Sequence, residues 1–162
     1  MTNNELIVNI NKTCAVTGHR RIEKKFNFQS LINTFYTLID GGYDTFLIGM
    51  AVGFDTLCFN ILQDIKKQKD IKIIACVPCL DQAEKFNLSQ KKEYERMLNI
   101  ADQKICLYNE YNDKCMLERN RLMVDNCSML VAYCTRDFGG TAYTVRYAQK
   151  NNVPIKFVGD IK

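Results

Sequence analysis

The chain has 162 residues, of which 47 % are hydrophobic and 25 % charged, with a formal net charge of +4. These values suit one globular domain with a sizeable core. No apolar run reaches the roughly 18–20 residues that a membrane span needs, and the mild positive charge favours an anionic ligand without indicating nucleic acid.

Short apolar runs alternate along the chain with segments of helical period. In chain order they predict strands and helices at 13–18 (strand), 28–40 (helix), 45–49 (strand), 55–68 (helix), 71–77 (strand), 89–102 (helix), 104–108 (strand), 115–127 (helix), 129–134 (strand), 141–151 (helix) and 154–158 (strand). Buried strands separated by helices specify a parallel sheet with helices on both faces. We therefore predict a Rossmann-like three-layer α/β/α sandwich with a mainly parallel sheet, as a single domain over residues 1–162.

Four polar or glycine-containing segments follow predicted strands. They are TGHR at 17–20, GMAVGFD at 49–55, YNEYNDKCMLERN before the fourth helix and TRDFGGT before the fifth. The carboxyl ends of parallel strands meet at one edge of the sheet, and ligands bind there where the strand order reverses. Glycine allows close backbone approach, and a helix N-terminus attracts anions. The sequence therefore predicts a pocket for an anionic ligand at this edge.

Four motifs in order resemble the YpsA-like branch of the SLOG superfamily, which includes the Smf/DprA proteins and the LOG phosphoribohydrolases. The motifs are TGHR, GMAVGFD, RNRLMVDNCSMLVAYC and GGTAYTVRYA, and the resemblance runs from about Cys14 to Pro154. It implies a Rossmann-like fold and a pocket for nucleotides or nucleotide-derived ligands. Because related domains often dimerise, it also implies a homodimer or a higher homo-oligomer.

The GMAVGFD segment places two glycines and an aspartate between a strand and a helix. It can be a tight turn in which Asp55 caps the helix by accepting backbone N–H bonds. It can also hold a phosphate on the loop, while Asp55 accepts a hydrogen bond from a ribose hydroxyl or contacts a base edge. We favour ligand contact for Gly49, Met50, Gly53 and Asp55.

The TGHR segment ends the first predicted strand beside a pair of arginines. The single histidine can be an ordinary core or surface residue, or it can stack on a base or donate a hydrogen bond to the ligand. Arg20 can hold a phosphate through two parallel hydrogen bonds. Gly18, His19 and Arg20 are therefore candidate ligand contacts.

The RNRLMVD segment resembles the RKxxM stretch of LOG proteins, in which the arginine holds the phosphoribose end of the ligand. The resemblance implies this role for Arg119, which would otherwise be a solvated residue on a helix face. Asn120 stands where that pattern has lysine, so one positive charge is lost. Arg119 and Asn120 are both candidate ligand contacts.

The FGGT segment opens the last predicted helix. Gly139, Gly140 and Thr141 can cradle a phosphate, or they can form a simple turn with a threonine cap. The LOG pattern PGGxGTxxE is longer and ends in glutamate, whereas this chain has Thr144 at that position. No glutamate follows Glu118 in the chain, so Asp55 is the only candidate catalytic carboxylate.

Eight cysteines lie partly inside apolar runs such as KICLY and LVAYC, where cysteine behaves as a small hydrophobe. CVPC at 76–79 can be read as a redox pair or as part of a zinc site. However, it closes a predicted strand, and a zinc site needs about four ligands in a chain with one histidine. We expect free thiols, no metal and no cofactor. The N-terminal segment does not resemble a signal peptide, so we expect a cytoplasmic protein.

These observations favour a binding module that senses, carries or sequesters a nucleotide or a nucleotide-derived ligand. Catalysis is uncertain, and the enzymatic alternative is a LOG-like nucleoside-monophosphate phosphoribohydrolase that cleaves an N-glycosidic bond. Single-stranded DNA binding is a weaker alternative because the sequence shows no basic groove with interleaved aromatics. The expected partner is a nucleotide-like small molecule, with neither nucleic acid nor a membrane.

Overall fold

Six strands alternate with five α-helices in residues 5–159, the part of the chain that the computed structural model describes. In chain order they are β1 (Thr13–Gly18), α1 (Phe28–Asp40), β2 (Thr45–Ile48), α2 (Phe54–Ile65), β3 (Lys72–Cys79), α3 (Leu88–Ile100), β4 (Gln103–Tyr108), α4 (Cys115–Asp125), β5 (Met129–Tyr133), α5 (Gly140–Lys150) and β6 (Ile155–Phe157). All eleven predicted elements are confirmed. The predicted domain limits at residues 1 and 162 lie outside the described part.

The strands form one sheet in the order β4-β3-β2-β1-β5-β6, and every pair of neighbours is parallel. From β1 the chain builds outward through β2 and β3 to β4, and it then crosses back to place β5 on the other side of β1. The strand order therefore reverses between β1 and β5. The prediction of a Rossmann-like sandwich is confirmed, and this reversal marks the edge at which a ligand site is expected.

Helices cover both faces of the sheet, and the alternation of side chains along β1 shows how. Cys14 and Val16 belong to a core cluster shared with α1, α2 and α3, whereas Ala15 belongs to a second cluster shared with α4 and α5. Successive residues of a strand face opposite sides, so β1 to β5 each bury side chains in both layers, whereas the edge strand β6 leaves Phe157 exposed. No helix within residues 5–159 is long and apolar enough to cross a membrane.

β3 is longer than the sequence pattern predicts, because it continues through Pro78 to Cys79. The prediction that Pro78 lies outside the strand was wrong. Pairing with β2 ends at Ala75, so beyond it β3 has only β4 as a neighbour. In this stretch Cys76, Val77 and Cys79 pair with β4 and Pro78 does not, so the absent N–H of proline removes no ladder bond.

Candidate functional site

An open cleft of about 800 Å³ lies at the carboxyl edge of the sheet, where β1 and β5 diverge. Its walls come from the segments that follow β1, β2, β3 and β5 and from the first turns of α4 and α5. The fold brings together most of the predicted ligand contacts: the cleft is lined by Gly18, His19, Arg20, Gly49, Asp55, Arg119, Asn120, Gly140 and Thr141. The remaining three, Met50, Gly53 and Gly139, do not line it, although Met50 and Gly53 line a smaller neighbouring cavity.

Two glycines of the predicted motifs are required by contacts inside the protein. A Cβ atom on Gly18 would lie 2.4 Å from the Phe54 ring, and one on Gly49 would lie 2.9 Å from the Arg119 guanidinium. Both distances are shorter than van der Waals contact, so a side chain at either position displaces a neighbour. Packing inside the protein is therefore a reason for glycine at both positions that does not depend on a ligand.

His19 joins the two loops that face each other across the point of strand reversal. Its Nε2 accepts a hydrogen bond of 2.9 Å from the backbone N–H of Thr135, and its carbonyl accepts one of 3.0 Å from the N–H of Phe54. Burial and the nearby charge of Arg136 lower the pKa of His19. The imidazole is therefore neutral at pH 7 with its proton on Nδ1, because Nε2 acts as an acceptor.

Arg119 is buried, in contrast to the solvated position that a helix-face arginine would have. Its Nη1 donates to the carbonyl of Gly49 and, at 3.2 Å, to the carbonyl of Cys76, so it ties together the ends of β2 and β3. Its Nε donates to Oδ1 of Asn120 at 2.8 Å. Nη2 lies 3.8 Å from the Met116 sulfur, a weak acceptor, and so retains capacity to donate into the cleft.

Asp55 lies in the first turn of α2 but does not cap it, because Gly53 occupies the N-cap position. Its Oδ2 instead accepts a hydrogen bond of 3.0 Å from the backbone N–H of Ala51, which closes the β2–α2 loop on itself. Burial raises the pKa of Asp55 from 3.8 to about 6, while the charge of Arg119 and the Ala51 N–H act in the opposite direction. The cleft therefore contains a carboxyl group that changes charge near neutral pH.

This carboxyl group predicts a pH-dependent stability. The pKa of Asp55 is 3.8 when unperturbed and about 6 in the folded protein, so the folded state binds the proton more tightly. Protonation of Asp55 thus stabilises the fold in full below about pH 4, and this contribution, about 3 kcal/mol, is lost as the pH rises through 6. Urea unfolding between pH 4 and 8 measures it, and Asp55→Asn should be less sensitive to pH. Equal pH dependence in both proteins would contradict the assignment.

The N-terminus of α5 faces the cleft with space in front of it. A Cβ atom on Gly140 would meet no atom within 4 Å, and the first N–H groups of a helix have no partner within it. Thr144 is uncharged, and its hydroxyl donates to the Gly140 carbonyl at 2.9 Å. This end of the cleft thus offers backbone donors and the positive end of a helix dipole, which suit a phosphate.

Sequence reasoning missed several residues that line the cleft. Gln82 is buried between α3 and the β2–α2 loop, and its Nε2 donates to the Gly49 carbonyl at 3.0 Å. Glu23 also lines the cleft and adds a second carboxylate to Asp55, the one that the sequence indicated. Of the charged side chains around the cleft, five are positive and two are negative: Arg20, Arg21, Lys24, Arg119 and Arg136 against Glu23 and Asp55. The excess of positive charge favours an anionic ligand.

The cysteines of the described chain are free, and seven of the eight are buried. Burial raises the pKa of the Cys76 thiol to about 12, so this member of the CVPC pair is a poor nucleophile at neutral pH. No group of three or more His, Cys, Asp or Glu side chains among residues 5–159 is arranged to hold a metal ion.

The sequence matches the model of the YpsA family, described as the YspA SLOG family, over residues 14–159, and the chain belongs to this family. It is 32 % identical over 120 residues to the uncharacterized SPbeta prophage-derived protein YoqJ of Bacillus subtilis (strain 168). The aligned region covers 65 % of this chain and 69 % of that protein. The predicted YpsA-like SLOG resemblance is confirmed.

Two solved structures of DNA processing protein A share the fold. The protein from Helicobacter pylori, studied for its single-stranded DNA binding mode, aligns with a TM-score of 0.63 at 22 % identity over 90 % of this chain and 64 % of that one. The protein from Streptococcus pneumoniae aligns with a TM-score of 0.62 at 17 % identity over 91 % of this chain and 50 % of that one. The chain thus spans between half and two thirds of the length of these structures.

Proposed function

We propose that this protein binds a nucleotide or nucleotide-derived anion in the cleft and senses or sequesters it without cleaving it. The observation that carries the proposal is the open N-terminus of α5 at Gly140, which faces a cleft with an excess of positive side chains. A phosphate at this helix end would accept backbone N–H bonds, as anions do at helix N-termini. The free Nη2 capacity of Arg119 and the exposed Arg20 and Arg136 would contact the rest of the ligand.

An N-glycosidase activity has less support. Cleavage of an N-glycosidic bond develops positive charge on the sugar, and enzymes stabilise it or activate water with a positioned carboxylate. The position of the LOG glutamate holds Thr144, whose hydroxyl is bonded to its own helix. Of the two carboxylates at the cleft, Asp55 is bonded to the Ala51 N–H, and Glu23 lies on the exposed rim. We therefore expect no efficient release of base from nucleoside monophosphates.

Gly140→Val is the sharpest test of nucleotide binding. No atom lies within 4 Å of the added Cβ, so the variant should fold like the wild type. Its side chain would occupy the space where we place the phosphate, so the affinity for nucleotides should fall at least about tenfold, a loss of about 1.4 kcal/mol. Isothermal titration calorimetry with a panel of nucleoside monophosphates and diphosphates measures the affinity, and chromatography of the same mixtures detects free base.

Leu88→Val is the matched control, since it places valine at the first position of α3, exposed and outside the cleft. It should bind nucleotides like the wild type. Equal affinity in Gly140→Val and Leu88→Val would remove the phosphate site from α5, and binding of no nucleotide at all would reject the proposed function. Turnover that Asp55→Asn or Glu23→Gln abolishes would establish an enzyme instead.

Single-stranded DNA is a second candidate ligand, favoured by one feature of the cleft rim. The exposed ring of Phe138 lies under the guanidinium of Arg136, with 5.1 Å between the guanidinium carbon and the ring centroid. Proteins that bind single strands combine such aromatic rings with a cationic groove, and their affinity falls steeply with salt. Fluorescence anisotropy with a labelled oligothymidylate at 50 and 200 mM salt distinguishes the candidates. An affinity for the oligothymidylate that falls steeply with salt, and that Phe138→Ala lowers at both salt concentrations, would favour DNA over a mononucleotide.

A further inference from the structure

A second, smaller cavity of about 350 Å³ lies between α2 and α3, next to the cleft. The two cavities have Val52 and Phe86 in common, so they meet at these side chains. The other walls of this side cavity are formed by α2, by α3 and by the loop between β2 and α2. The proposed phosphate site at Gly140 makes no use of it.

The loop after β2 is the partition between the cleft and the side cavity. Along it, Gly49 and Ala51 line the cleft, whereas Met50 and Gly53 line the side cavity, and Val52 reaches both. Met50 has a left-handed backbone (φ 67°), which is uncommon for a residue with a side chain, and it is fully buried. Met50 and Gly53 therefore do not line the cleft, although they lie in the same loop as Gly49 and Ala51, which do.

Several polar side chains that line the side cavity already have partners inside the protein. The Tyr94 hydroxyl donates to Gln82 at 2.9 Å, and the Thr56 hydroxyl donates to the Ala51 carbonyl at 3.2 Å. The Glu93 carboxylate accepts hydrogen bonds from Arg96 and from Asn60. What these residues leave for an occupant is therefore mainly an apolar surface, formed by the half-buried side chains of Val52, Leu57 and Phe86.

We infer that the side cavity binds an aromatic or apolar group of the same ligand whose phosphate lies in the cleft. This inference rests on the proposed function and deepens it: the ligand is a nucleotide derivative with a second ring or a similar apolar substituent. Because the two cavities share Val52 and Phe86, a ligand that extends over these two side chains would occupy both. Because the polar side chains of Thr56, Glu93 and Tyr94 are already bonded within the protein, the side cavity suits an apolar substituent better than a second charged one.

The test compares AMP with its ribose ester of N-methylanthranilate, which adds one fluorescent aromatic ring to the same nucleotide. Burial of that ring should make the ester bind about tenfold more tightly than AMP and should shift its emission to shorter wavelength. Ser89→Phe, at an exposed residue of α3 that lines the side cavity, should fill it. The variant should lose the gain of the ester but keep the affinity for AMP.

Lys91→Phe is the control, since it adds the same side chain to the same helix at an exposed residue that lines neither cavity. It should bind both nucleotides like the wild type, and urea unfolding checks that both variants fold. Equal affinities for AMP and its ester in the wild type, or equal losses for both in Ser89→Phe, would overturn the inference while leaving the proposed function intact.

If neither nucleotide binds, the proposed function fails, and anilinonaphthalene sulfonate then tests the side cavity by itself. Its fluorescence should rise with the wild type and with Lys91→Phe, and this rise should be lost with Ser89→Phe. No rise with the wild type, or the same rise with all three proteins, would overturn the inference as well.

Discussion

Gly53→Ala should destabilise the protein by about 3–5 kcal/mol or prevent it from folding. Gly53 has a φ of +86°, and a Cβ atom on it would lie 2.2 Å from the backbone carbonyl oxygen of Arg20. Rotation of a side chain cannot relieve that clash, because the carbonyl belongs to the backbone. The backbone is in turn held in place by the hydrogen bond from the Phe54 N–H to the His19 carbonyl. Urea unfolding followed by circular dichroism measures the loss.

Gly42→Ala separates the two causes of this loss. Gly42 also has a positive φ, +112°, but a Cβ atom on it would meet nothing within 4 Å. Its substitution should therefore cost only the backbone strain, about 1–2 kcal/mol. If Gly42→Ala and Gly53→Ala lost the same stability, the close approach of the β1 and β2 loops would not be the reason that position 53 is glycine.

Arg119→Met should destabilise the protein by about 3–5 kcal/mol, the range found when one partner of a buried charge network is removed. The substitution removes the Arg119 hydrogen bond from the Cys76 carbonyl and from the Gly49 carbonyl, which keeps only its bond from Gln82. It also removes the positive charge that lowers the pKa of Asp55, so that pKa should rise further above 6. Urea unfolding at pH 6 to 8 measures both effects, because the second moves the pH dependence of stability upward.

Arg121→Met is the matched control on the same helix. Arg121 is exposed and donates to the hydroxyl of Tyr143, so its loss should cost less than about 1 kcal/mol. The pH dependence of its stability should match that of the wild type. An Arg119→Met variant as stable as Arg121→Met would show that Arg119 is not a structural tie between β2 and β3. In that case the affinity for nucleotides would become the proper measure of its role.

The sheet and its helices follow from the sequence because each depends on local patterns. The period of apolar residues predicts α1 at its observed limits, Phe28–Asp40, and the run TCAVTG predicts β1 at Thr13–Gly18. The position of the cleft follows as well, because the carboxyl ends of parallel strands share one edge.

The roles of individual site residues could not be predicted in this way, because they depend on contacts distant in the chain. Arg119 bonds to a carbonyl 70 residues away at Gly49 and to another 43 residues away at Cys76, so nothing near RNRLMVD indicates that it is buried. Gln82 lies in an irregular stretch after β3 and has no motif around it. Arg119 and Gln82 both donate to the Gly49 carbonyl, and only this shared contact in the structure identifies them as one cluster.

The demands on Gly18 and Gly49 come from the Phe54 ring and the Arg119 guanidinium, so they persist whatever molecule occupies the cleft. Descendants of one ancestral gene can therefore exchange their ligand while inheriting the letters of TGHR and GMAVGFD unchanged. The two glycines therefore reflect common descent and packing more than the chemistry of the ligand. Differences in ligand would instead arise from exposed side chains that line the cleft, such as Arg21 and Arg136. These can be substituted without disturbing the interior.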